Sequence, residues 1–498
     1  MKRSDTNRIK KAICALCVLS LTAAAGSCAQ GSGEDVQTQP ATGTDSSFSA
    51  DSEEPTVLKY INDLPEADFN GDPFRIYAVY PERYWDHFFI DEPDGEVIND
   101  MVYLRNTEVA SRYNVVFETY DENWVTGPDT IRSLIRAGDD TYSLMIASHN
   151  RLSEILVGGY LLPWEMTSVD MTKPYYVKQA NETFSMGGNT MLLFGDYTDS
   201  LINLTWAFAF NKRLAEDYDI TGLYELVDEG KWTVDRFLTL IKGIYVDLNG
   251  DGKRGAEDFY GYLADDYPSI DAWSRPLMMS AVSKDEDDYP ILDFLRESTV
   301  DAYTAVYEMY YNTPSIYHSF GAWGHIDTFA KGNSIFSSMM FSNIYDSSMR
   351  DMEDDYGVLP FPKLTEEMEY STHLDGAFSA LLLPTTLPAS TLERTGIITE
   401  ALNAYSGEYV RPAIYETTLK LKTTRDEESA RMMDLILASR SFSFDSMDEL
   451  NFPLSPICVL RDNIQKGTQS ITSYYEKQNK RFTKRLEKLI KDFKESME

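Results

Sequence analysis

The sequence is short of basic residues. Over 498 residues it has 45 Lys and Arg against 80 Asp and Glu, which gives a net charge of -35 at pH 7. Because phosphate recognition needs clustered Lys and Arg, this balance argues against nucleic acid as a partner. An acidic surface favours neutral or cationic solutes only as a long-range bias, and its simplest interpretation is a well-solvated surface.

Long apolar runs and catalytic motifs are also lacking. Beyond residue 27 no segment reaches the roughly 18 consecutive apolar residues of a membrane-spanning helix. The motifs G-x-S-x-G and H-E-x-x-H, a P-loop and a convincing G-x-G-x-x-G are absent, so we expect no enzyme. A surface glycoside hydrolase would need two carboxylates about 5 Å or about 6.5–9.5 Å apart. Acidic residues are so abundant that a pair such as Asp196 and Asp375 carries no weight for that alternative.

Cysteine is scarce, and three of the 4 cysteines lie within the first 28 positions. Basic residues followed by an apolar run, 12–25, predict a secretory signal peptide over residues 1–27. The run leads into Gly26-Ser27-Cys28, which resembles the lipobox of bacterial lipoproteins and implies acylation of Cys28. Ordinary secretion with cleavage nearby is the alternative. Only Cys458 then remains besides Cys28, so no intramolecular disulfide is expected.

Residues 28–65 are rich in Ser, Thr, Gly, Asp and Glu and have few large apolar side chains. Such a composition cannot bury enough surface to offset its ordering entropy, which predicts a flexible tether. A lipid anchor and a tether together predict a globular part at the extracytoplasmic face of the bacterial cell membrane.

The rest of the chain alternates strand-like and helix-like segments. Helical spacing of apolar residues predicts helices over 96–112, near 131–135, over 233–245 and along 471–493. Strands are predicted at Phe74–Tyr80, Asn114–Tyr120, Tyr142–Ala147, Leu204–Phe210, Ser334–Phe341, Tyr356–Pro360 and Ala377–Leu383. Alternation of strand and helix at the start of this region predicts a parallel sheet with right-handed crossovers and an α/β fold.

Several short motifs follow one another along this region. They are AGDD at 137–140, GGYLLPW at 158–164, FNKRL at 210–214, GKWTVD at 230–235, FAKGN at 329–333 and YGVLPFPK at 356–363. In order and spacing, from about residue 70 to 420, the sequence resembles the extracellular solute-binding proteins of ABC importers, family 1, which include maltodextrin-binding proteins.

The resemblance implies a two-lobed periplasmic-binding-protein-like fold (type II), with crossing strands between the lobes and a ligand cleft. The expected boundaries are 66–197 for lobe 1, 198–373 for lobe 2, 374–425 for a return to lobe 1, and 426–498 for C-terminal helices packing on lobe 2. The implied function is that of a monomeric substrate-binding lipoprotein that delivers an extracellular solute to ABC permease subunits. Aromatic content and the likeness favour a carbohydrate. A surface glycan-capture protein without a transport role is the alternative.

One loop, 247–258, has the spacing of an EF-hand-type Ca²⁺ site, with Gly252 at the sharp turn. Its oxygen donors are Asp247, Asn249, Asp251, the carbonyl of Lys253, and Asp258 in the place usually held by Glu. This pattern predicts a structural Ca²⁺, and a plain turn rich in Asp, Asn and Gly is the alternative.

Sugar sites combine aromatic platforms with polar hydrogen-bonding groups. The ligand-binding candidates, mostly on loops that follow strands, are Trp85, His149, Asn150, Asp196, Tyr197, Trp273, Phe341 and Asp375. By the resemblance, His149 and Asn150 correspond to polar sugar contacts and Phe341 to a stacking aromatic. For each aromatic the alternative is a place in the core.

Overall fold

The computed structural model describes residues 59–80, 88–321, 323–345, 347–415, 427–448 and 456–498. Cys28 and Trp85 lie outside these ranges. The described residues belong to one compact unit, 57–498, built around two sheets of six strands each. None of the helices in those ranges is long and apolar enough to cross a membrane.

The strands, in chain order, are β1 (Asp72–Tyr80), β2 (Val115–Asn123), β3 (Leu144–Ser148), β4 (Leu161–Leu162), β5 (Leu192–Leu193), β6 (Trp206–Asn211), β7 (Tyr245–Val246), β8 (Phe259–Leu263), β9 (Val282–Lys284), β10 (Pro290–Leu292), β11 (Ile316–Tyr317), β12 (Ser334–Met340), β13 (Tyr356–Leu359) and β14 (Ser379–Pro384).

The α-helices are α1 (Val97–Tyr113), α2 (Gly127–Arg136), α3 (Ser153–Leu156), α4 (Lys178–Phe184), α5 (Ser200–Asn203), α6 (Lys212–Asp217), α7 (Leu223–Asp228), α8 (Val234–Leu240), α9 (Pro268–Asp271), α10 (Glu297–Asn312), α11 (Gly324–Ala330), α12 (Ser347–Arg350), α13 (Ala389–Tyr405), α14 (Arg411–Ile414), α15 (Glu427–Ala438), α16 (Pro456–Gln465) and α17 (Ile471–Met497). A π-helical turn, Ser406–Val410, connects α13 to α14.

The first sheet has the strand order β2-β1-β3-β14-β4, and β5 also pairs with β14. β1 runs parallel to β2 and β3, with Tyr77 opposite Tyr120 and Met145, so the predicted parallel arrangement is confirmed. All five residues of β3 are buried, as is typical of a central strand covered on both faces. β14 comes back from far along the chain and joins β3 antiparallel.

The second sheet has the order β11-β8-β12-β6-β13, with β7 paired to β8. β8 is parallel to β11 and β12, whereas β6 is antiparallel to β12 and β13. We call the part of the chain around each sheet the first and second lobe. Their cores are continuous, because one cluster joins Met145 and Leu192 of the first sheet to Phe208 and Phe336 of the second.

Two neighbouring segments, 198–205 and 371–375, cross between the lobes, and a third segment, 439–441, lies beside them. The amide of Asp375 donates to the carbonyl of Leu204 at 3.0 Å, which joins the second crossing to the first. The amide of Thr372 donates to the carbonyl of Ser439 at 2.8 Å, and the amide of Ser441 donates back to Thr372 at 2.9 Å. The three segments therefore form one hydrogen-bonded ribbon.

One helix prediction is too long. The helix expected over 233–245 begins as expected, because the hydroxyl of Thr233 caps it by accepting the amide of Arg236 at 3.2 Å. It ends at Leu240, and Gly243 adopts a φ of 78° that turns the chain out of the helix. The following residues form β7 on the edge of β8.

Candidate ligand cleft between the two lobes

The first lobe reaches the cleft through the turn after β3. His149 and Asn150 lie in a 3-10 turn directly after the carboxyl end of that strand. His149 is fully buried, with its ring stacked on Phe378 at a centroid distance of 3.8 Å and its Nε2 2.9 Å from the hydroxyl of Ser446. Burial lowers the pKa of His149 to about 3, so its imidazole is neutral at neutral pH.

The second lobe contributes Ser274 and Arg275, which follow α9, and the second crossing contributes His373. The Ser274 hydroxyl is 3.3 Å from Nδ1 of His373. Burial, with the charges of Arg275 and His149 as smaller causes, lowers the pKa of His373 to about 3. Arg275 is only 6% exposed and donates a long hydrogen bond of 3.4 Å to the carbonyl of Phe442.

A short stretch of the chain itself fills the space between these groups. We call residues 442–446, which follow the segment 439–441, the cleft segment. Phe442 packs edge-on against Phe378 and Phe184 of the first lobe, at 5.7 and 6.3 Å. On the other side the Ser443 hydroxyl is 3.5 Å from that of Ser280. The cleft segment therefore touches both lobes.

The cavity that remains beside the cleft segment is small. It has a volume of about 20 Å³ and is lined by Ser274, Arg275, His373, Leu374, Phe378 and residues 441–443, 445 and 446. This volume holds about one water molecule, whereas ligand pockets measure roughly 300–1,000 Å³. A wider groove of about 260 Å³ lies outside it, between α4, β9 and the cleft segment. A saccharide cannot fit the inner cavity unless the cleft segment moves.

The predicted ligand residues fall into three groups. His149 and Asn150 lie at the cleft, and Trp85 lies outside the described residues. Asp196, Tyr197 and Asp375 lie at the crossings.

The Asp196 carboxylate is 2.9 Å from Arg411, and burial raises its pKa to about 6. Tyr197 is buried with the Arg105 guanidinium 4.6 Å from its ring centre, and the Asp375 carboxylate accepts the amide of Ala377 at 3.0 Å. These contacts lie in or next to the crossings, and a ligand role for the three residues stays a prediction.

Trp273 and Phe341 form the third group, in the cores of the second lobe. Trp273 is fully buried with its ring 5.0 Å from that of Phe361, and Phe341 is 1% exposed. A stacking platform has to expose a ring face to the ligand, so a ligand role for these two stays a prediction.

Several cleft residues escaped the sequence analysis, namely Ser274, Arg275, His373, Phe378 and the cleft segment. The ligand-binding candidates predicted from the sequence lie mostly on loops that follow predicted strands. Arg275 follows a one-turn helix, and the cleft segment follows a helix much later in the chain. No motif marks either of them. A sequence feature that could have indicated His373 as a cleft residue is its position two residues before Asp375, at the expected second crossing.

The 247–258 loop forms the sharp turn that its glycines predict, with a φ of 73° at Gly252. The Asp247 carboxylate accepts the amides of Gly250 and Gly252 at 2.7 and 2.8 Å. The Asp258 carboxylate accepts those of Leu248 and Gly255 at 3.2 and 2.9 Å. Within the described ranges no group of three or more His, Cys, Asp or Glu side chains is arranged to hold a metal ion, so Ca²⁺ binding stays a prediction.

A buried Ser–His–Asp arrangement in the second lobe tests the enzyme alternative. His325 Nδ1 is 3.5 Å from Asp265 Oδ2, and His325 Nε2 is 3.5 Å from the Ser269 hydroxyl. Nε2 also lies 2.8 Å from the carbonyl of Ser338, an acceptor that requires Nε2 to carry the proton. His325 therefore cannot take a proton from Ser269, and all three residues are fully buried. The arrangement is a structural network and not a catalytic triad.

Comparison with known proteins agrees with this architecture. No family model matches the chain, and no curated protein matches its sequence. Among solved structures, the sugar-binding protein MalE from Xanthomonas citri is similar, with a TM-score of 0.57 and 13% identity over 84% of this chain and 98% of that one.

Two further structures are similar over nearly the same span. A cyclo/maltodextrin-binding protein complexed with maltotetraose has a TM-score of 0.52 and 14% identity, covering 86% of this chain and 99% of that one. The galacto-N-biose/lacto-N-biose I-binding protein of an ABC transporter from Bifidobacterium longum has a TM-score of 0.52 and 10% identity, covering 86% and 96%. The chain thus has the two-lobed α/β fold of periplasmic solute-binding proteins, and these neighbours are binding proteins, not enzymes.

Proposed function

We propose that this protein captures an extracellular carbohydrate and delivers it to the permease of an ABC importer. The observation that carries the proposal is the architecture: two α/β lobes, joined by two hydrogen-bonded crossings, meet around a cleft lined by polar and aromatic residues. The fold's solved neighbours include proteins in complex with maltotetraose and with lacto-N-biose.

The chemistry of the cleft supports a sugar as the ligand. Phe442 now covers the buried rings of Phe184 and Phe378, and once it moves away these rings can offer an apolar face to a pyranose. The neutral imidazoles of His149 and His373 can donate and accept hydrogen bonds with hydroxyl groups. Asn150, 8% exposed beside His149, adds an amide. Closure of the lobes on the ligand is a hinge motion, and the closed state is the one that a permease would recognise.

Thermal unfolding of the purified full-length protein against a panel of oligosaccharides tests the proposal. A ligand at about 100 times its Kd adds about 2.7 kcal/mol to the unfolding free energy, so Tm should rise by roughly 2–5 °C with one glycan class. No shift with any glycan, but a shift with a peptide or another solute, would overturn the carbohydrate assignment. Hydrolysis of the bound glycan during the experiment would favour the hydrolase alternative.

Compaction on binding separates import from simple surface capture. Small-angle scattering should show a smaller radius of gyration with the ligand than without it, because closing brings the lobes together. An unchanged radius with a bound glycan would favour a capture protein without hinge closure.

We further propose that Cys28 carries the lipid anchor. Its support is the signal-like sequence of residues 1–27 and the small residues before Cys28. Mass spectrometry of the membrane fraction should find a diacylglyceryl group on an N-terminal Cys28. Release of the Cys28→Ala variant into the medium is expected, and its retention in the membrane would contradict the assignment.

We also propose that the 247–258 loop binds a structural Ca²⁺. Support comes from oxygen donors at EF-hand spacing, although the carboxylates would have to turn inward from their present amide partners. Millimolar Ca²⁺ should raise Tm by roughly 2–5 °C, and Asp247→Asn should abolish the rise. The exposed Asp235→Asn on α8 is the control. An equal rise in Asp247→Asn would show that Ca²⁺ acts elsewhere.

A further inference from the structure

The cleft segment presents to the lobes the same kinds of groups that a saccharide would present. The apolar ring of Phe442 packs edge-on against Phe378, and the Ser446 hydroxyl contacts Nε2 of His149. The carbonyl of Phe442 accepts a hydrogen bond from Arg275. The Asp445 carboxylate lines the same inner cavity as Arg275. The segment therefore fills the cleft with an apolar ring, a hydroxyl, a carbonyl and a carboxylate.

Charge gives this arrangement its chemical specificity. Arg275 is buried, and two nearby charges act on its guanidinium in opposite directions. The negative charge of Asp445 stabilises the charged guanidinium, and the positive charge of Arg296 destabilises it. The two histidines at the cavity are neutral and cannot replace Asp445. Because a buried charge without a partner is costly, a ligand that displaces the cleft segment and keeps Arg275 away from water should bring a counter-charge to it.

The cleft segment is also an imperfect occupant. One oxygen of the Asp445 carboxylate takes a hydrogen bond from the Ser443 hydroxyl, a neighbour in the same segment. The other oxygen, Oδ2, is buried and has no hydrogen bond of good geometry among the described residues. Burial raises the pKa of Asp445 to about 6, and the charge of Arg275 and the backbone amides of Asp445 and Ala281 oppose that rise. A buried polar atom without a partner costs free energy, so a ligand that satisfies Arg275 better can displace the segment.

We propose that residues 442–446 occupy the solute position of the cleft, and that the solute which displaces them is an acidic saccharide whose carboxylate takes the place of the Asp445 carboxylate opposite Arg275. This rests on the proposed function and specifies its ligand. A guanidinium binds a carboxylate through two parallel hydrogen bonds, which matches a uronic acid. The net charge of -35 slows the approach of an anion over long distances but leaves the local contact intact.

Calorimetry with matched saccharides tests the inference on the full-length protein. The probes are galacturonate oligomers and neutral galactose oligomers of the same linkage and length, which differ only at the carboxylate. Wild type should bind the acidic oligomer at least about tenfold tighter than the neutral one. Asp445→Asn should lower Tm without ligand and tighten binding of the acidic oligomer by about tenfold, because more of the protein has the cleft segment displaced.

Arg275→Gln should remove the preference for the acidic oligomer, and Arg275→Lys should restore it only in part. The exposed Asp301→Asn on α10 and Arg236→Gln on α8 are matched controls and should bind like wild type. A gain of affinity in Asp445→Asn cannot result from misfolding, so the test does not depend on the Arg275 variants alone.

The outcomes separate this inference from the proposed function. If neutral oligomers bind as tightly as acidic ones and Arg275→Gln changes neither, the inference is overturned and carbohydrate capture stands. If neither type binds wild type or Asp445→Asn while a solute of another class does, both are overturned.

Discussion

At the scale of single residues, burial decides which groups around the cleft carry charge. It lowers the pKa of His149 and His373 to about 3 and raises that of Asp445 and Asp196 to about 6. Below about pH 6 the two aspartates take up protons more readily in the folded protein than in the unfolded chain. The two histidines take up protons less readily in the folded protein than in the unfolded chain. Between about pH 4 and 6 the aspartates and the histidines therefore change stability with pH in opposite directions.

Replacing His149 by Gln should therefore make the protein less sensitive to acid. The folded state requires a neutral His149, so its contribution is complete above the unfolded pKa of about 6.5 and is lost as pH falls towards 3. One proton of difference corresponds to a slope of at most about 1.4 kcal/mol per pH unit. Urea unfolding at pH 7, 5.5 and 4 should show a flatter decline in His149→Gln than in wild type. Parallel declines would mean that His149 is protonated in the folded protein.

At the scale of elements, the hairpin of β9 and β10 fastens the second lobe to the first. Lys284 donates to the carbonyls of Glu182 and Ser185, at 2.6 and 2.7 Å, at the carboxyl end of α4. Lys284 also pairs with one carboxylate oxygen of Asp288 at 2.7 Å. The other carboxylate oxygen of Asp288 accepts a hydrogen bond from the amide of Gly188 at 3.0 Å. A cation at a helix carboxyl end satisfies carbonyls that have no partner within the helix.

Lys284→Met should loosen this contact. The side chain is 22% exposed, so the free energy of unfolding should fall by only about 1–2 kcal/mol. Hydrogen exchange should accelerate at the amides of Gly187 and Gly188. Lys178→Met on the same helix is the control: its pair with Glu182, at 3.6 Å, is well exposed and should change stability by less than about 0.5 kcal/mol. Equal effects of the two substitutions would refute a specific role for the hairpin.

Every strand predicted from the sequence is present, within a few residues at each end, because buried strands show as runs of apolar and β-branched residues. β8 is not among the strands predicted from the sequence, although all five of its residues are buried. Its sequence, Phe-Tyr-Gly-Tyr-Leu, contains a glycine at the point where Ile241 packs close against the backbone. A strand of this kind is specified by its neighbours β11 and β12 rather than by its own pattern.

The candidate site was harder to predict than the strands. Arg105 interrupts the apolar stripe of α1, and only the fold explains why a basic residue lies there. Its guanidinium is buried and donates hydrogen bonds to the carbonyl of Phe88 and the hydroxyl of Ser406. His149 was found because it ends a recognisable strand. Arg275 and Asp445 are brought together from distant parts of the chain, and no local spacing rule connects them.

At the scale of the whole molecule, part-exposed charge contacts oppose the opening of the cleft. Besides Lys284, Arg485 on α17 pairs with Glu154 on α3 at 2.6 Å. α17 packs on α10 and β10 of the second lobe, and its apolar stripe, including Phe482 and Leu489, is buried. The ion pair therefore links a helix of the second lobe to the first lobe, and any hinge opening at the crossings has to stretch it.

Opening of the ligand-free protein should consequently depend on salt. Screening weakens part-exposed ion pairs, because the Debye length falls from about 30 Å at 0.01 M to about 3 Å at 1 M salt. The same screening reduces the repulsion within a chain of net charge -35, which favours compaction and acts in the opposite direction. Wild type alone cannot separate the two effects, so a variant without the contacts is required.

The double variant Lys284→Met/Arg485→Ala separates them. At low salt and without ligand its radius of gyration by small-angle scattering should exceed that of wild type, because fewer contacts hold its lobes together. Rising salt should shrink the variant, because only the repulsion remains to be screened, and should bring the two proteins together. Equal radii at low salt would mean that the cleft segment and the shared core hold the lobes closed without help from these charges.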